Sequence, residues 1–149
     1  MSRYLSLLPF IACVFAAAAS GALFMPGPWY ANLNKPTWTP PDWLFPIAWT
    51  VLYLMIAVAG WLAWRAGGFG PAIAIWGFGL VVNALWSYFM FGRQDIALAL
   101  VDVTALWFAT AAFIWATWSL EPRAAYLFLP YLAWVSFAGA LNFAVWQMN

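Results

Sequence analysis

Charged residues interrupt this chain at few positions, and the long intervals between them are its most regular feature. None occurs between Arg3 and Lys35, between Asp42 and Arg65, between Arg65 and Arg93, between Asp102 and Glu121, or after Arg123. Each interval supplies an apolar window of about 20 residues, the length a helix needs to cross roughly 30 Å of hydrocarbon. The windows predict helices near residues 4–24, 42–65, 71–91, 96–118 and 124–146. The ten-residue alternation of apolar and polar positions that marks a membrane barrel is not seen in the sequence. The expected fold is an all-α integral membrane protein: one domain over residues 1–149, a bundle of five transmembrane helices with a long structured loop between the first and second.

Composition agrees. Of 149 residues, 68% are hydrophobic and 6% are charged, against about 25% charged in an average soluble domain. A net charge of +1 gives no reason to expect a nucleic-acid partner. Cys13 is the one cysteine, so neither a disulfide within the chain nor a cysteine metal cluster is available. Arg3, the apolar run and the small residues 16–21 imitate a secretory signal. The apolar character continues through Ala22, Leu23 and Phe24, so a retained first span is expected, with the termini on opposite sides. Orientation stays open, because Arg3, Arg65 and Arg123 on one side face Lys35 and Arg93 on the other.

The links at 66–70, 92–95 and 119–123 are short, which predicts antiparallel sequential neighbours. Only residues 25–41 are long enough to fold over the bundle mouth. Pro26, Pro28, Pro36, Pro40 and Pro41 rule out a continuous helix there, because each fixes φ and removes a backbone donor. Lys35, Pro36, Trp38, Pro40, Pro41 and Trp43 therefore form the expected lid. Small residues recur at helical spacing in Ala12, Ala16 and Ser20, in Ala105, Ala109, Ala112 and Ala116, and in Ser136, Gly139 and Ala140. Such stripes serve packing within a bundle or a homodimer face.

Residues three or four apart share a helix face. Trp49 with Tyr53, Asn83 with Trp86, and Trp134 with Ala138 and Asn142 each combine an aromatic surface with a small or hydrogen-bonding group. Three such stripes facing inward make a flat-walled slot for a planar apolar ligand. The bland alternative is that the aromatics form an interfacial belt and the amides join helices. Trp43 and Trp146, at helix ends, fit the belt. Asp102 lies about two turns inside the fourth span, where a carboxylate is costly unless protonated, or bonded to an indole or an amide. It is either functional or part of bundle specificity. Arg93 and Asp95 are expected to cap a turn. With no His, axial ligation of a haem is disfavoured, no metal site is expected and no cofactor is required. A tetrapyrrole would have to stack on Trp, with Lys35 or lid N–H groups facing its propionates.

Several spaced motifs resemble the tryptophan-rich sensory protein, or translocator protein, family, whose animal members were called peripheral benzodiazepine receptors. They are Lys35 and Pro36 with Trp38, Pro40, Pro41 and Trp43; Trp49 with Leu52 and Tyr53; Asn83 with Trp86; Phe91 and Gly92; residues 99–102; residues 130–134; and Leu141 with Asn142. The resemblance implies a five-helix bacterial membrane protein, in the cell membrane or an outer membrane, commonly homodimeric. Its expected ligand is a porphyrin, protoporphyrin IX or haem, in a cavity closed by the first loop. Trp38, Trp49, Tyr53, Asn83, Trp86, Trp134, Ala138, Leu141 and Asn142 are the ligand-binding candidates. Some relatives are linked to light- and oxygen-dependent breakdown of protoporphyrin, which would make Trp49 and Trp134 catalytic. Transport of porphyrins or sterol-like molecules is a third reading, against which stands the lack of internal repeats. One departure concerns sterols: at residues 141–147 the family's Tyr and basic residue are missing, which lowers sterol binding as a native role.

Overall fold

The structure, a computed structural model, describes residues 2–149. In chain order the elements are α1 (Ser2–Leu5), α2 (Leu8–Leu23), α3 (Pro28–Ala31), α4 (Leu44–Gly67), α5 (Pro71–Ser87), a π-helical turn (Tyr88–Gly92), α6 (Ile96–Thr117) and α7 (Pro122–Met148). Five spans are long and apolar enough to cross a membrane: Arg3–Leu23, Leu44–Gly67, Pro71–Gly92, Ile96–Thr117 and Pro122–Met148. The all-α membrane fold read from the charge intervals is therefore the observed one, and no strand occurs among the described residues.

Two spans are less regular than their composition. The first, expected to run unbroken over 4–24, is interrupted between α1 and α2. Pro9 stands in the first turn of α2, where its missing N–H leaves no helical bond unmade. Before it the chain turns, with the Leu7 N–H donating to the Tyr4 carbonyl at 3.1 Å. The third span ends in a wider coil: the Arg93 N–H donates five residues back to Tyr88 O at 2.8 Å, and the Asp95 N–H reaches Phe89 O at 3.0 Å. Gln94 then turns the chain at φ 55°. Asp95 caps α6 by accepting from the Leu98 N–H at 2.9 Å, the stabilising role of an N-cap carboxylate. Pro130 lies inside α7 without ending it; neighbouring helices make this tolerable in a bundle.

The helices form a ring in the order α2, α4, α7, α6, α5. The short links were expected to make successive helices neighbours, and α6 does pack closely on both α5 and α7. α4, however, packs more on α7 and α2 than on its successor α5. The bulk of Trp76 fills the space between α4 and α5: its Nε1 donates to the Ile56 carbonyl at 2.9 Å, and its ring lies against Gly60. Elsewhere small residues bring backbones together. Ala59, Ala99 and Ala124 are fully buried, a Cβ on Gly79 would touch Ala109, and the Ser20 hydroxyl joins α2 to the Ala84 carbonyl of α5. Ala12, Ala16, Ser136 and Ala140 remain exposed on the bundle surface.

Candidate functional site

α4 presents Phe45, Trp49 and Tyr53 at intervals of four, so one face carries three rings. Trp49 stacks on Tyr53 at 5.3 Å between centroids and meets Trp134 of α7 edge to face at 6.3 Å. Tyr131, one turn before Trp134, meets Trp49 at 6.3 Å, while Phe45 meets Trp134 at 5.8 Å. The rings continue outward through Phe137, 5.7 Å from Trp134, to Trp38 of the loop, 5.7 Å from Phe137. Edge-to-face pairs of this kind are each favourable beyond their area. A continuous aromatic wall thus runs from the bundle interior to the first loop.

Asn83 of α5 closes the inner end. It accepts from the Tyr53 hydroxyl at 3.0 Å and donates to the Tyr131 hydroxyl at 2.7 Å, tying α4, α5 and α7 at one level. Trp86, one turn along α5, donates from Nε1 to Asn142 Oδ1 at 2.9 Å, and Asn142 donates to the Ile96 carbonyl at 3.2 Å. Both amides are buried and engaged with protein groups. Leu141 belongs to a second apolar cluster with Met90, Ala99 and Val145, against which Trp86, Phe45 and Phe137 pack together with Trp29, Tyr30 and Leu33 of the loop region. Trp49 and Trp134 therefore meet directly between α4 and α7, while Trp86 lies against the second cluster, on which Phe45 and Phe137 also pack. Ala138, one turn from Trp134 and from Asn142, is half-buried.

The loop is anchored rather than free. The Asn34 N–H donates to Asn149 Oδ1 at 3.0 Å, Asn149 Nδ2 donates to the Asn34 carbonyl at 2.8 Å, and Asn34 Nδ2 donates to the Met148 carbonyl at 3.2 Å. Lys35 Nζ stands 4.7 Å from the Tyr30 ring centre and donates to the carbonyls of Ala31 and Leu33, both at 3.3 Å. Burial, and secondarily the negative charge of Asp42, push the Tyr30 hydroxyl pKa up. A turn from Pro36 to Thr39 and another from Pro41 to Leu44 lead into α4. Pro36 and Pro40 are half-buried, Pro41 is exposed, and Trp43 is 65% exposed at the α4 entrance.

Among the described residues two buried side-chain polar atoms have no hydrogen-bond partner: Trp134 Nε1 and Asp102 Oδ2. For Asp102 a bond to an indole or amide was one expectation, and the structure makes none to that oxygen. Among the described residues no group of three or more His, Cys, Asp or Glu could hold a metal ion. Phe45, Tyr131 and Phe137 were not among the ligand-binding candidates, although their spacing of three or four from Trp49 and Trp134 was the available signal. The Asn34–Asn149 pairing has no such signal, because its partners lie 115 residues apart.

A sequence model of the TspO/MBR family matches residues 9–147. The chain belongs to this family. It is 42% identical to a tryptophan-rich sensory protein of Cereibacter sphaeroides, over 95% of this chain and 90% of that one. It is 38% identical to Protein CrtK of Rhodobacter capsulatus, over 100% and 95% of the two chains. The human translocator protein is 36% identical over 81% of this chain and 75% of its own. TspO/MBR membership and the five apolar spans agree on a multi-pass integral membrane protein.

Proposed function

We propose that this TspO/MBR protein is a membrane receptor whose ligand is a planar tetrapyrrole, protoporphyrin IX or haem, held against the Trp49–Trp134 wall beneath the first loop. The observation that carries this reading is the meeting of rings from α4, α7 and the loop in one aromatic wall. Such a wall offers flat apolar area with few polar points, as a site for a planar ligand requires. Trp134 Nε1 is the donor there that no protein group satisfies, while Asn83 and Trp86 support the wall through Tyr53, Tyr131 and Asn142. No cofactor is needed for binding.

Titrating the purified protein with protoporphyrin IX and following tryptophan quenching tests the reading. The Trp49→Phe, Trp134→Phe double variant is expected to bind at least tenfold more weakly; unchanged affinity overturns the proposal. The edge-to-face contact of two oxidisable indoles at 6.3 Å favours a second reading, light- and oxygen-dependent breakdown of the bound porphyrin. Illumination with excess ligand separates the two, because a receptor gives no turnover.

A further inference from the structure

At the end of the bundle remote from the loop, α1 and the last turns of α4 build a cationic, aromatic cluster that the candidate site does not use. Arg3 Cζ stands 5.3 Å from the centre of the Tyr4 ring. Tyr4 lies 5.9 Å from Trp61 at an interplanar angle of 35°, and Arg65 Cζ stands 4.8 Å from the centre of Trp61. Two guanidinium groups thus flank one pair of rings, and cation–π attraction orders both side chains before any ligand arrives. The cluster is also fixed from below. Trp61 Nε1 donates to Ser6 Oγ at 2.8 Å, and Ser6 Oγ donates to the Arg3 carbonyl at 2.7 Å, which staples α1 to α4.

Among the described residues neither guanidinium forms an ion pair. The acidic side chain at this end is Glu121, whose hydrogen bonds go to Arg123: Nη2 and Nε donate to it at 2.7 and 3.1 Å. Those bonds, with the Arg123 charge and the more distant charge of Arg65, hold the Glu121 pKa below its ordinary value. Asp42 and Asp95 precede α4 and α6, and so lie at the loop end, where they balance Lys35 and Arg93. The charge of the protein is therefore concentrated where Arg3, Arg65 and Arg123 meet one acid. Arg3 begins the first span and Arg65 falls in the last turn of the second, which sets both at the boundary between hydrocarbon and water.

We propose that Arg3, Tyr4, Trp61 and Arg65 form a binding site for the phosphate of an anionic phospholipid. The planar guanidinium donates two parallel N–H groups to a phosphate, and the exposed Tyr4 ring, backed by the buried Trp61, offers the lipid's glycerol region an apolar flank. The site is independent of the tetrapyrrole reading and of the loop.

Native mass spectrometry of the full chain, titrated in detergent with phosphatidylglycerol or phosphatidylcholine, tests the proposal. Wild type is expected to retain phosphatidylglycerol preferentially. The Arg3→Gln, Arg65→Gln double variant should bind it roughly 30-fold more weakly, and each single variant roughly fivefold, following the usual attraction per basic residue at a membrane surface. The Arg93→Gln variant, changed at the other end, should bind as wild type. The single variants keep the test decisive if the double variant does not fold. Phosphatidylglycerol affinity within twofold of wild type in the Arg65→Gln and Arg3→Gln proteins overturns the site. Displacement of the lipid by an equal concentration of inorganic phosphate overturns the lipid assignment.

Discussion

The Trp76 indole lies where any side chain on Gly60 would have to be: an ideal Cβ there would stand 2.5 Å from the ring. The ring is held by its bond to the Ile56 carbonyl, so it cannot move aside cheaply. Gly60→Ala is expected to destabilise the bundle by about 1–3 kcal/mol, the usual cost of overpacking. Combining it with Trp76→Phe should cost less than the sum of the two single changes, because the smaller ring frees the space. Thermal unfolding in detergent of the four proteins measures this; strict additivity contradicts the contact.

Asn83→Leu leaves the Tyr53 and Tyr131 hydroxyls without their shared amide. Polar contacts between membrane helices average about 0.6 kcal/mol each and reach about 1.7, so a loss of about 1–2 kcal/mol is expected. Tyr131→Phe, which removes one of the two bonds, should cost about half as much. A chemical-unfolding series in mixed micelles ranks the variants, and equal stability of all three would show the bridge to be energetically silent.

The loop clasp can be read directly, because the Asn34 N–H donates to the Asn149 side chain. Asn149→Ala removes that acceptor together with the return bond to Asn34. At about 0.5–1.5 kcal/mol per bond, Asn34 amide exchange should accelerate about tenfold or more, while the amides of α6 remain protected. Hydrogen exchange read by mass spectrometry or NMR gives both values in one experiment.

Alkaline pH should loosen the same region. The Tyr30 hydroxyl has a folded pKa above its ordinary 10.0, through burial first and Asp42 second. Its neutral form therefore favours the packed loop below pH 10, and that contribution is lost as pH rises from the unfolded toward the folded value. Exchange at residues 30–35 is expected to rise beyond base catalysis above pH 10 in wild type and less so in Tyr30→Phe.

Much of this was legible in the chain. Eight of the nine charged residues, all but Asp102, fence off the spans because a bilayer favours charge at their ends, and spacings of four placed Trp49 with Tyr53 on one face and Trp134 with Ala138 on another. Which amide meets which hydroxyl was not legible: Asn83 pairs with tyrosines and Trp86 with Asn142 because of helix rotation and ring order, and neither is written in a local pattern. The π-helical turn has no simple sequence signature. The interruption of the first span was readable from Pro9 alone, yet apolar composition continues through it and masked the break.

That interruption has a consequence for the surrounding lipid. α2 has 16 residues, a rise of about 24 Å, short of the roughly 30 Å of an average hydrocarbon slab. Beside this helix the acyl chains must either compress or find α1 completing the barrier, so hydrophobic mismatch is concentrated on one flank of the bundle. A thinner bilayer would relieve the strain there first, which makes host-membrane thickness a determinant of how firmly the amino-terminal turn stays docked.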